Sequence, residues 1–128
     1  MSISPPDHAI VLFAHGSRDP LWRAPLEAVA ARIATQHPGR PVACAYLELC
    51  APTLPDAVAQ LVAQGTRRIT VVPMFLGTGK HAREDLPVLV EQLRASHAGV
   101  QFSVQTAIGE DPRMTALMAD IASELPGS

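Results

Sequence analysis

Val11-Leu12-Phe13-Ala14-His15-Gly16-Ser17-Arg18-Asp19 decides the fold of this chain. An apolar run ends here in a glycine-bearing loop, with one histidine just past the run. A short apolar run bounded by turn residues reads as a strand covered on both faces. The same arrangement recurs at Val71-Val72-Pro73-Met74-Phe75-Leu76-Gly77-Thr78-Gly79-Lys80-His81. A helical pattern follows each run, so both read as strands of βα units, parallel neighbours in one sheet. Parallel strands bring their C-terminal ends to one edge, where open α/β sheets bind ligands. His15 and His81 are therefore expected on one rim. Neighbouring strands lie only about 5 Å apart, so two imidazoles there can share a metal ion or face one flat ligand.

Outward from these runs the chain alternates. Met1 to His8 reads as a loose lead-in and Ala9 to Ala14 as the first strand. Leu26, Val29, Ala30 and Ile33 have helical spacing, and Pro25 predicts a break between a first turn at Pro20 to Ala24 and the main helix. Pro41 to Leu47 is the second strand, less apolar and nearer an edge, with Glu48 directly after it. Leu54, Val58, Leu61 and Val62 mark a second helix. Ile69 to Leu76 is the third strand, in which Pro73 is an irregularity because it donates no ladder bond. Gly77 to Glu84 reads as a loop, and a third helix begins near Asp85. Val100 to Thr106 is the fourth strand. Pro112 opens a last helix with Met114, Leu117, Met118, Ile121 and Leu125 on one side. With right-handed crossovers, these βα units make a three-layer α/β sandwich with a four-stranded parallel sheet.

Composition sets outer limits. The 128 residues, 48% of them apolar, suit one globular domain spanning 1–128. No apolar run approaches the ~20 residues of a membrane span, and the first residues carry no signal-peptide pattern. Cys44 and Cys50 match neither a zinc nor a redox spacing, which predicts free thiols in a reducing cytoplasm. A formal charge of −2 argues against bulk nucleic-acid binding.

The strand-end rule sorts the histidines. His37 and His97 follow helices and belong to the opposite edge, where they read as surface residues; His8 reads as solvent-exposed. His15, His81 and Glu48 follow strands. Two imidazoles and a carboxylate suit a divalent first-row metal with positions open for substrate, and equally suit acid–base work. A histidine after a strand also serves commonly as a cap or loop hydrogen-bonder, and Glu48 can be a plain surface carboxylate. Arg18, Lys80 and Arg83 add cations that would attract carboxylates or phosphates. Gly16, Gly77 and Gly79 would let a large ligand approach the backbone. Neither GxGxxG nor GxxxxGK[ST] is present, so nucleotide binding recedes.

Four segments in order resemble a known family: His15-Gly16-Ser17-Arg18-Asp19, Ala45-Tyr46-Leu47-Glu48, Val72-Pro73-Met74-Phe75-Leu76-Gly77-Thr78-Gly79-Lys80-His81 and Asp85-Leu86-Pro87. They resemble the class II chelatases, specifically the short single-domain sirohydrochlorin cobaltochelatases and ferrochelatases, from Ala9 to about Leu125. The resemblance implies a flavodoxin-like fold and insertion of Co2+, Fe2+ or Ni2+ into sirohydrochlorin, a tetrapyrrole with eight carboxylates, for cobalamin or siroheme synthesis. The metal is then a substrate, and no permanently bound cofactor is implied. The histidines matching the family's pair, His15 and His81, would hold the metal and help remove pyrrole protons, with Glu48 as the alternative proton acceptor. Arg18, Lys80 and Arg83 are assigned to substrate carboxylates, and Phe75, Leu76 and Trp22 are candidates either to touch the macrocycle or, equally, to pack in the core or loops. The resemblance also implies a homodimer. The rival reading is a non-catalytic metal-binding or tetrapyrrole-carrier protein on the same scaffold.

Overall fold

The computed structural model describes residues 7–126; the lead-in at residues 1–6 lies outside that range. The elements are β1 (His8–Ala14), α1 (Pro20–Gln36), β2 (Val42–Tyr46), α2 (Leu54–Ala63), β3 (Arg68–Pro73), α3 (Lys80–Ser96), β4 (Gln101–Val104), a 3-10 turn at Ile108–Glu110, and α4 (Pro112–Ala122). The sheet order is β2-β1-β3-β4 and all the pairings are parallel. The two glycine-ended runs are thus direct neighbours, with Phe13 opposite Pro73, and β2 takes an edge as expected.

Alternation along the strands builds two cores. Ala9, Val11, Phe13, Ala45, Ile69 and Val71 face α2 and α3, whose Leu54, Val58, Leu61, Leu86, Val90 and Leu93 close over them. Leu12, Ala14, Tyr46 and Val72 face the other way, where Leu26 of α1 covers them. Period-two side-chain direction and helices on both sheet faces give the three layers.

Four expectations need correction. Pro25 does not break the first helix: α1 runs unbroken through it. Leu21, whose carbonyl lost its donor, is 80% exposed, so water can reach that carbonyl. The third helix starts at Lys80, five residues before Asp85, with Gly79 as N-cap and Pro87 inside it. Lys80, His81 and Arg83 therefore belong to the helix's first turn rather than to a loop. His8 is not a free surface histidine; it opens β1, half-buried, with Nε2 3.1 Å from Thr70 Oγ1. Finally, α4 ends at Ala122, so Leu125 lies past the helix rather than on its apolar side, and no α4 residue is buried.

Pro73 turns out to cost the sheet little. Met74 N donates to Phe13 O at 2.7 Å, so the neighbouring Pro73 nitrogen points toward β4, which has already ended at Val104.

Candidate active site

The chain leaves β1 toward β2 on one side, while β3 lies on the other. That reversal between β1 and β3 is the topological switch point, where sheets of this order open a ligand crevice. His15 follows β1 and His81 sits in the first turn of the helix after β3, so the two histidines flank the crevice. Both are exposed.

Glu48 is brought to the same rim by backbone bonds. Leu47 N donates to Ala14 O at 2.9 Å and Glu48 N to His15 O at 3.0 Å, extending the β2–β1 ladder past the strands' ends. Gly16 makes this latch possible. Its φ is +104°, and a Cβ there would lie 1.8 Å from Glu48 O. Only glycine combines that left-handed backbone with so close an approach. A second clamp holds the β3 loop: Gly109 N donates to Phe75 O at 2.9 Å, and a Cβ on Gly109 would lie 2.0 Å from Leu76 O. Gly109 was invisible as a site residue in the sequence, because the atoms that forbid a side chain there come from a segment over thirty positions away. Gly77 and Gly79, by contrast, have open space where a Cβ would stand.

Beneath the rim, the His15 ring packs on Phe75 with centroids 4.7 Å apart, and Phe75 packs edge-on against Phe13 at 6.0 Å. Phe75 is only 6% exposed. Of the two roles the sequence left open for it, burial favours packing: it is the floor on which His15 rests. Trp22 and Leu76 stay exposed at the rim, with Trp22 packed on Tyr46 at 6.2 Å. Burial pushes the Tyr46 hydroxyl up to about 12, helped by Cys44, Cys50 and Glu27 nearby, so it stays a neutral packing group at physiological pH. Both cysteines are free thiols, and burial raises Cys44, with Glu27 adding to the effect.

The assigned cations sit around the same edge. Arg18 lies in the β1–α1 loop, and Lys80 and Arg83 on the first turn of α3; all three are exposed, and among the described residues none is in an ion pair. Arg83 also borders a cavity of about 450 Å³ between α3 and β4, floored by Ala82, Leu86 and Val90. His37 and His97 cap the C-termini of α1 and α3 at the far edge, as the strand-end rule requires. Among the described residues, no three His, Cys, Asp or Glu side chains stand close enough to hold a metal between them. His15, His81 and Glu48 share a rim without closing into a ligand cluster.

This arrangement has known counterparts. The CbiX family model matches residues 9–125. The chain belongs to the CbiX family. Among curated relatives, the sirohydrochlorin cobaltochelatase of Methanopyrus kandleri is 37% identical over 82 residues, covering 64% of this chain and 57% of that protein. The chloroplastic sirohydrochlorin ferrochelatase of Arabidopsis thaliana is 30% identical over 78% of this chain and 44% of its own length. This CbiX chain thus spans between 44% and 57% of the length of these relatives. Of solved structures, a cobalamin (vitamin B12) biosynthesis CbiX protein from Marinobacter aquaeolei superposes with TM-score 0.79 at 37% identity, covering 90% of this chain and 93% of that one. The sirohydrochlorin chelatase SirB from Bacillus subtilis, in complex with cobalt, gives TM-score 0.74 at 28% identity, over 91% of this chain but 51% of its own.

Proposed function

We propose that this CbiX chain is a sirohydrochlorin chelatase, a lyase-class enzyme that inserts Co2+ or Fe2+ into the tetrapyrrole in cobalamin or siroheme biosynthesis. The observation that carries the reading is the placement of His15 and His81 on either side of the β1/β3 switch point. Relatives named as cobaltochelatases and as a ferrochelatase support both metals as substrates.

In this reading His15 and His81 take the incoming ion through imidazole nitrogens. Structural zinc sites close with four protein ligands, whereas sites that turn over keep positions open. A two-imidazole grip leaves room for pyrrole nitrogens to displace water from the ion as it moves into the ring. The tetrapyrrole's nitrogen core gives up two N–H protons as the dication enters, so the net charge of core plus metal is unchanged. Glu48, latched beside His15 and exposed, takes one such proton, and a histidine relieved of metal is the other acceptor. Arg18, Lys80 and Arg83 pair with the substrate's peripheral carboxylates. Protons and metal compete for the same imidazole nitrogens, so insertion slows as the medium is acidified. The enzyme works as a single-domain subunit in the cytoplasm, with a second copy of itself as partner.

The test is anaerobic insertion of Co2+ and Fe2+ into sirohydrochlorin, followed by absorbance, with the uncatalysed rate subtracted. Wild type runs well above background, and His15→Ala and His81→Ala fall to background. Wild-type rates no better than the uncatalysed reaction, with tetrapyrrole or metal still bound, would replace the enzyme with a carrier.

A further inference from the structure

His8 stands at the opposite end of β1 from His15, about 23 Å along the strand. It has no part in the chemistry of the rim, yet it is not free. Its Nε2 lies 3.1 Å from Thr70 Oγ1 on β3, and Thr70 Oγ1 lies 3.0 Å from Ser103 Oγ on β4. Neighbouring strands β1, β3 and β4 thus contribute one side chain each to a continuous hydrogen-bond chain. A second polar row runs beside it: the register sets His8 level with Arg68, and Arg68 level with Gln101. His8, Arg68, Thr70, Gln101 and Ser103 line one cavity of about 280 Å³. A parallel sheet covered on both faces carries apolar side chains on both. In this corner it does not: helix α1 packs over β2, and Arg68, Gln101 and Ser103 stay exposed.

We propose that this corner is a binding site for a tetrahedral oxyanion of the phosphate and sulfate class, held by Arg68, Gln101 and Ser103 and coupled through Thr70 to His8. The site is separate from the chelation rim and does not depend on the chelatase reading. Proton direction carries the coupling. Each hydroxyl has one proton to give, so the chain runs one way at a time. When His8 accepts at Nε2, Thr70 donates to it and Ser103 donates to Thr70. Ser103 then offers the cavity only lone pairs. When Nε2 carries its proton, His8 donates to Thr70 and Thr70 to Ser103, and the Ser103 hydroxyl donates into the cavity. An imidazolium allows only the second arrangement, because both of its nitrogens are donors. A protonated His8 therefore sets the chain to receive an anion.

Charge supports the same ligand. Asp7 Oδ1 stands 3.8 Å from Arg68 Nη2, too far for a hydrogen bond, so the Arg68 guanidinium keeps its donors for another acceptor. Burial, then Arg68 and Arg40, hold His8 below its usual pKa, against the smaller opposing pull of Asp7. The positive field that repels the imidazole's proton also attracts an anion, and an anion in the cavity offsets that field. Shape selects within the anions. Guanidinium, amide and hydroxyl donors stand in two rows on two strands, which suits the spread oxygens of a tetrahedral group; a carboxylate has two oxygens in one plane.

The experiment is NMR titration of the His8 ring resonances in the full chain, with sulfate against chloride at constant ionic strength. Sulfate keeps its charge across the histidine range, so the ligand's own titration does not enter. Sulfate is expected to move the His8 resonances saturably and to raise the His8 pKa. Arg68→Gln should weaken sulfate binding about tenfold, the effect of losing a charge-assisted hydrogen bond. Thr70→Val, which keeps the shape of the strand residue, should leave sulfate bound but shrink the response of the His8 pKa. Phosphate and glycerol 3-phosphate, titrated in parallel, tell the sources apart: tighter glycerol 3-phosphate identifies a phosphomonoester, and tighter phosphate the free ion. A His8 that responds to sulfate no more than to chloride overturns the site, as does a response that Arg68→Gln does not weaken, which marks an adventitious ion only. A wild-type pKa response in Thr70→Val overturns the coupling through the chain. Metal insertion by these variants is expected to match wild type and bears on the chelatase reading alone.

Discussion

Helices α2 and α3 each bury four side chains, whereas α1 buries Leu26 alone and α4 buries none. The same sheet therefore carries one finished layer and one open one. The finished layer draws on Leu54, Val58, Leu61, Leu86, Val90 and Leu93, all at most 6% exposed, and holds the fold together by apolar burial. The open layer shows Leu21, Trp22, Val29, Leu117 and Ile121 to solvent. Apolar surface that does not stabilise the folded subunit remains free to bind something else, and here it belongs to the helices that lead away from the β1 rim and from the last loop.

The sharpest way to break this division is to delete matched leucines. Leu54→Ala in α2 should cost about 3 kcal/mol of unfolding free energy. Leu117→Ala in α4 should change it by no more than about 0.5 kcal/mol, provided urea unfolding is followed at concentrations too low for association. Equal losses would mean that α4 is part of the subunit's own core. The next largest effect belongs to the rim. Gly16→Ala puts a Cβ 1.8 Å from Glu48 O at a left-handed residue, so the latch must move. A displacement of ~1 Å at a catalytic group costs about 100-fold in kcat, whereas Gly77→Ala, with open space at its Cβ, should leave insertion rates unchanged. Phe75→Leu keeps the core filled but removes the ring beneath His15; a loss of about three- to tenfold in kcat, with little change in KM, would identify Phe75 as a positioning residue.

The smallest effect distinguishes the open layer by pH. Arg113, through its side-chain bonds and its backbone N–H, holds the Asp111 carboxyl down at about 2, below its usual 3.8. A carboxylate with a lowered folded-state pKa contributes fully above its unfolded value and loses that contribution as pH falls from about 3.8 toward 2. Hydrogen exchange of the first α4 amides should accelerate across that window while α2 amides stay protected. In Asp111→Ala the α4 amides should exchange fast at every pH.

Much of the site was legible in the chain. His15 and His81 could be sorted from His37 and His97 because only the former follow strands, and parallel strands share a C-terminal edge. Reading the positions after helix starts was harder. Gly79 and Pro87 mark the segment after β3 as irregular, yet α3 begins at Lys80, so His81 and Arg83 are helical. Local breakers compete with tertiary packing, and here the burial of Ala82 and Leu86 against the sheet outweighs them. Phe75 shows a related limit. The sequence left both macrocycle contact and core packing open for it, and its ring turns inward onto Phe13.

By itself, the sequence determined the βα alternation, the parallel sheet and the edge on which the histidines stand. Those follow from the spacing of apolar residues and from the handedness of crossovers, which are properties of short segments. Tertiary structure decided what no short segment contains. It placed Glu48 beside His15, required glycine at positions 16 and 109, hid Phe75 under a histidine, and left the stripe of α4 uncovered. Each of these depends on atoms from a distant part of the chain arriving within a few ångströms, and sequence periodicity carries no record of that distance.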